Sequence, residues 1–285
     1  MPVGVCFKGV RTLVASYLLS DTSLEAGYVS AAKLRKNYLQ RKRVKLGRVH
    51  EFNQVLEGLV LHGVLNAKRE GNTLYTLNPD RPDFLTLYLG KKVRVSPGYH
   101  RSMTLRARLL ALRGGIGEYA TGTVSWVPWQ YKPMVIMHEP KRIGLTSGGG
   151  GVRWERSGFE NGGVLLNLVF DPPLHMGEIL EYGFYTWTRE HYARSRADAL
   201  KRFGDEWVRE GLEVRNEAEF VELVVTPHRD YQSARVEADT QERFTPPTGN
   251  MKIIRSFQTG QEKLVWSYHR PERGRYFIAW VPPEQ

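Results

Sequence analysis

The sequence predicts an α+β, multi-domain chain in which a helical, basic N-terminal part precedes a mainly antiparallel β-sandwich with one inserted helix. Apolar residues recur at helical spacing up to about residue 63 and alternate with period two from about residue 134. Between these stretches, Pro79 and Pro82 interrupt any regular element. The charge divides along the same line: the first 123 residues carry a net +12 and the remainder −1, whereas all seven Trp lie beyond residue 123. Such asymmetry predicts that one part meets a polyanion and the other has a separate task.

Taken in order, Val10, Leu13, Val14, Tyr17 and Leu18 form the apolar stripe of a first helix, which Asp21, Thr22 and Ser23 end. Ser30 is a good N-cap for a short second helix bearing Ala31, Leu34 and Tyr38. A third helix carries Val49, Phe52, Leu56, Leu59 and Val60 on one face and stops at Gly63. Two alternating runs, 64–70 and 73–77, are joined by Gly71-Asn72, a pair that tolerates the positive φ of a tight hairpin turn.

Three short helices and a hairpin, with the pattern Leu-x-x-Leu-x-x-x-Gly-Val-Leu and Gly-Asn-x-Leu-Tyr-x-Leu across 56–77, resemble the winged helix-turn-helix family over residues 7–79. The resemblance implies an N-terminal α/β domain, residues 1–79, whose third helix enters the major groove of duplex DNA. His50, Asn53 and Gln54 on its outer face would then read base edges. Arg41, Lys42, Arg43, Lys45 and Arg48 would hold phosphates ahead of that helix, and Lys68 and Arg69 would do so on the wing. The bland counterpart is a solvated basic loop on a protein-binding winged helix.

Residues 80–123 read as a basic linker. Met103, Leu105, Leu109 and Leu112, interspersed with arginines, suggest an amphipathic helix over about 102–113 that either extends the DNA-facing surface or pairs with a second copy. Residues 84–95 are ambiguous between strand and helix. Gly115-x-Gly117-x-x-Ala120 has the outline of a dinucleotide fingerprint, but it does not lie between a strand and a helix as that motif requires.

Residues 124–285 read as an aromatic-rich sandwich, with strands near 134–138, 152–157, 164–170, 179–189, 219–226, 234–238, 251–257, 264–268 and 275–280 and a helix near 195–210. The architecture resembles immunoglobulin-like sandwiches without their cysteine pair. In the strand Tyr182–Trp187, Tyr185 and Trp187 share one face, and Tyr182 and Phe184 the other. If one face is core, the other pair marks a ligand site or an interface. The competing expectation is that the inserted helix covers it.

No His-x-His, His-Glu-x-x-His or Gly-x-Ser-x-Gly motif occurs, so no catalytic residue, metal or cofactor is expected. The lone Cys6 cannot close a disulfide within the chain and points to a reducing, cytoplasmic address. No apolar run is long enough for a membrane span, and Arg11 interrupts the nearest approach to a signal peptide. The function these features predict is a non-enzymatic, duplex DNA-binding transcriptional regulator, with the sandwich for sensing, protein contact or dimerisation. The alternatives are an adaptor built from the same two parts and a metal-dependent nucleic-acid enzyme.

Overall fold

A computed structural model describes residues 10–42, 49–124, 131–144, 150–160, 163–228, 231–240, 251–256 and 260–284. The chain is mostly β-sheet, arranged as several sheets with four α-helices among the described residues. Helices α1 (Val10–Leu19), α2 (Ala31–Lys42) and α3 (Val49–Leu61) fall where the apolar periodicity places them. Asp21 accepts from the Ser23 amide after α1, Ser30 Oγ accepts from the Lys33 amide at the start of α2, and Gly63 turns at φ 64° after α3. Strands β2 (Leu65–Glu70) and β3 (Asn72–Leu77) pair around Gly71 at φ 71°, and β1 (Val29–Ser30) adds to β3.

The next two strands, β4 (Phe84–Val95) and β5 (Arg101–Ala111), occupy the middle of an eight-stranded sheet. The helix expected over 102–113 is therefore corrected to a strand. Met103, Leu105, Ala107, Leu109 and Ala111 are all buried and alternate with Thr104, Arg106 and Arg108. The helical reading passed over the two alanines, the small residues that complete the period of two.

The other members of this sheet are β7 (Met134–Met137), β8 (Lys141–Ile143), β11 (Ile179–Thr188), β13 (Phe220–Thr226), β15 (Met251–Arg255) and β16 (Glu262–His269). Their order is β15-β16-β13-β4-β5-β11-β7, with β8 also on β11. Besides the small β1-β3-β2 sheet, two more three-stranded sheets are present among the described residues. One orders β6 (Ile116–Val124), β10 (Gly163–Leu174) and β9 (Gly151–Glu160) with β10 central; the other orders β12 (Val208–Val214), β17 (Gly274–Val281) and β14 (Ser233–Thr240) with β17 central. Inward residues of the large sheet and of these two share one apolar core. Trp266 lies in it, stacked on Tyr276 at 4.8 Å and on Tyr268 at 6.2 Å.

Two further expectations are corrected here. Strands β13 and β4 run parallel inside the large sheet, so the immunoglobulin-like likeness does not describe its topology. The inserted helix α4 (Arg196–Phe203) is shorter than predicted, because Ser195 caps its start and Gly204, at φ 71°, ends it.

A bulge in β4 between Thr86 and Tyr88 decides what each face of the large sheet meets. Leu85 and Leu87 point into a second apolar cluster with the helices, whereas Leu89, Val93 and Val95 join the core between the sheets. One extra residue reverses the parity of everything after it. Leu110, Leu112 and Ile179 face the helices alongside Leu85 and Leu87. The N-terminal helices are thus mounted on one end of the outer face of the large sheet. Ser16 Oγ donates to the Gly177 carbonyl at 2.5 Å, and His62 Nε2 lies 2.8 Å from the Glu219 carboxylate, both buried.

Candidate functional site

Beyond that helical cover, the outer face of the large sheet leaves Lys92, Arg94 and Arg106 exposed among the described residues. Cross-strand register arranges it in four rows. Glu181, Arg108 and Tyr88 lie abreast, with Phe220 stacked on Tyr88 at 6.0 Å. The next row is Gly183, Arg106, Gly90 and Glu222, the third is Tyr185, Thr104, Lys92 and Val224, and the fourth is Trp187, Ser102, Arg94 and Thr226. Each row carries one cation on β4 or β5. Strand geometry spaces the rows by about 7 Å, so the stripe runs for about 20 Å.

Arg106 is exposed between two glycines. A Cβ on Gly183 would stand 2.7 Å from the Leu105 carbonyl and 3.6 Å from His138 Cδ2, and a Cβ on Gly90 would collide with the Tyr88 hydroxyl. A groove of about 600 Å³ lies beside Gly183, with Tyr88, Phe220, Arg106, Arg108, His138 and Lys141 among its walls together with the carboxylates Glu139 and Glu181. Arg108 is paired with Glu181. Among the described residues no ion pair engages Lys92, Arg94 or Arg106. Burial first, and then the charge of Glu222, raise the pKa of the Tyr88 hydroxyl, so it stays protonated as a donor at neutral pH.

Tyr185 and Trp187 are half-buried on this outer face, while Tyr182 and Phe184 lie in the core. Helix α4 joins that core through Ala199. Beside Tyr185 and Trp187 in register stand Ile136 and Met134, each about half exposed, and His100 tilts against Trp187 at 5.3 Å.

Directly behind the stripe lies a buried ionic cluster. The Glu210 carboxylate accepts from Arg101 at 2.5 and 3.2 Å and from Lys91 at 2.8 Å, and it also accepts from the Tyr192 hydroxyl. Arg101 donates onward to Thr186 at 3.1 Å, and Lys91 to the Gly211 carbonyl at 2.5 Å. Burial alone would raise the Glu210 pKa, but the Arg101 and Lys91 charges hold it well below the usual carboxylate range. Burial brings Lys91 down to about 8 despite Glu210. Burial and then the Arg101 charge bring the neighbouring His191 down to about 3.

His191 consequently stays neutral in the folded state while its unfolded counterpart titrates near the ordinary 6.5. Between those values the unfolded chain binds the extra proton, so stability present above pH 6.5 is lost progressively as pH falls toward 3. Glu210 adds loss of the same sign below its ordinary 4.5. Urea midpoints measured from pH 7 to 4 should fall, and H191Q should flatten the upper part of the curve. An unchanged slope in H191Q would remove His191 from the account.

Six of the ten residues singled out for DNA have no described side chain. Arg43, Lys45 and Arg48 lie outside the described residues, and the side chains of Arg41, Lys42 and His50 are likewise not described. On α3 Asn53 is exposed and Gln54 half-buried; Lys68 and Arg69 are exposed on β2, approaching its turn with β3. Sequence reasoning missed Lys91, Arg101 and Glu210. Their signal is a charged residue in the apolar phase of a strand: Lys91 between Leu89 and Val93, Arg101 in step with Met103, and Glu210 between Val208 and Leu212.

No protein-family model matches the chain, and no curated protein resembles it in sequence. Solved structures similar to it include a putative protease from Parabacteroides distasonis, 8% identical, with a TM-score of 0.44, covering 70% of this chain and 41% of that one. An M1 zinc metallopeptidase from Deinococcus radiodurans is 12% identical with a TM-score of 0.38, over 70% and 42% of the two chains. Native yeast LTA4 hydrolase is 10% identical with a TM-score of 0.36, over 69% and 29%. The chain spans less than half the length of each.

These neighbours are peptidases and a hydrolase, and none of the three is a DNA-binding regulator. The assignment to the winged helix-turn-helix DNA-binding family is corrected, and with it duplex DNA as the partner and the expectation of a non-enzymatic regulator. The adaptor and nucleic-acid-enzyme readings gain no support either. The apolar faces of the N-terminal helices share one cluster with residues of β4, β5 and β11. Among the described residues no His, Cys, Asp or Glu side chains are grouped as metal ligands would be, and no helix is long and apolar enough to cross a membrane.

Proposed function

We propose that the protein binds an anionic ligand on the outer face of its large sheet, in the groove around Arg106. The observation that carries this reading is an exposed guanidinium, with no ion-pair partner among the described residues, standing between Gly90 and Gly183 with further cations beside it. A guanidinium presents its donors in a planar fork that matches carboxylate or phosphate oxygens. Tyr88 and Phe220 supply a flat wall at one end of the face, and Tyr185 and Trp187 an apolar one at the other. Lone Cys6 supports an address in a reducing compartment. The peptidase and hydrolase activities in the neighbours' names belong to those proteins.

Inorganic phosphate is a sufficient first probe. Titration calorimetry at low ionic strength should detect binding that weakens as salt screens the groove. R106A should reduce the affinity about tenfold, the scale of one charge-assisted bidentate contact. Undiminished phosphate binding by a folded R106A protein would refute the assignment.

A further inference from the structure

The groove is only one end of the cationic stripe, and the stripe has a regular pitch. Resting on the reading above, we propose that the ligand is an extended acidic peptide whose carboxylates occupy alternate positions and meet Arg108, Arg106, Lys92 and Arg94 in turn. Each of these residues lies in a successive row of the sheet. An extended peptide has the same two-residue repeat as the strands beneath it, about 7 Å, so its alternate side chains stay in step with the rows while the intervening ones face solvent. Lys92, Arg94 and Arg106 are exposed, and Arg108 already shows the contact in miniature through its pair with Glu181. The only carboxylates in the four rows are Glu181 and Glu222, both in the two rows nearest the helices. The two rows holding Lys92 and Arg94 contain no carboxylate, although Glu262 lines a pocket shared with Arg94, and along those rows the charge complementarity is strongest. Tyr185 and Trp187 border that half and offer apolar cover to a ligand backbone.

The test uses the full chain and fluorescence anisotropy with two labelled peptides of identical composition. In one, four glutamates alternate with serines; in the other, the four glutamates form a block. At low salt the alternating peptide should bind about tenfold more tightly, since four weak contacts add only when all are in register. K92A and R94A, both surface changes, should each remove part of that preference while leaving phosphate binding at Arg106 unchanged. Equal affinity for the two peptides, or tighter binding of a single-stranded oligonucleotide of the same charge, would overturn the proposal. If phosphate binds and neither peptide does, the extended ligand is refuted and the groove stands. If nothing binds, both readings fall.

Discussion

Glu210→Gln should destabilise the protein by about 3–5 kcal/mol at neutral pH, the cost expected when one partner of a buried ion pair is removed. The carboxylate is the shared acceptor of Arg101, Lys91 and Tyr192, and all four side chains are buried. With a neutral amide in its place, two cations would remain in the core without a counter-charge, and Lys91 would deprotonate more readily than Arg101. The variant should therefore gain stability as pH rises from below about 8, where Lys91 titrates in the parent protein, toward the ordinary lysine value of 10.5. Urea denaturation of the parent and E210Q from pH 7 to 10 checks both the size and the slope. Replacing Lys91, Arg101 and Glu210 together by apolar residues of similar volume should recover most of the loss, because a buried ionic set is stabilising mainly against its own partial removal. A loss under about 1 kcal/mol in E210Q would mean that water reaches the cluster.

The second large effect is expected at the seam between helices and sheet. Gly177 sits at φ 86°, where an L side chain is strained, and a Cβ there would run into the Ser16 carbonyl of α1. Gly177→Ala should cost about 2–4 kcal/mol, combining left-handed strain with overpacking. The loss should be local as well as large. Ser16 Oγ donates to the Gly177 carbonyl, so any shift that relieves the clash also breaks the contact that seats α1 on the sheet. Hydrogen exchange should quicken in α1 and α3 more than in β5 or β11. Uniform quickening throughout would show the helices and sheets to be a single cooperative unit, and unchanged exchange would show the seam to be unimportant.

Both predictions turn on residues whose roles depend on long-range neighbours. Ser16 meets Gly177, and Arg101 meets Glu210, across more than 100 positions of chain. The outer face has the same origin. Alternation alone identifies Tyr185 and Trp187 as a same-face pair, but the spacing over 102–113 predicts a helix for Arg106 and Arg108, and Lys92 and Arg94 lie in a stretch ambiguous between strand and helix. A helix would have scattered these cations around an axis. Paired strands place them row by row.

The sequence by itself determined the three N-terminal helices, the 65–77 hairpin and nine later strands, because caps, turn glycines and apolar periodicity act within a few residues of one another. It also determined the excess of positive charge in the first 123 residues. Only the tertiary structure decided that β4 and β5 lie at the centre of the large sheet, that a single bulged residue in β4 assigns leucines to two different cores, and that the helices rest on the sheet. Those outcomes depend on strand order and register, which are set by the burial of distant faces against one another and leave no local trace in the chain.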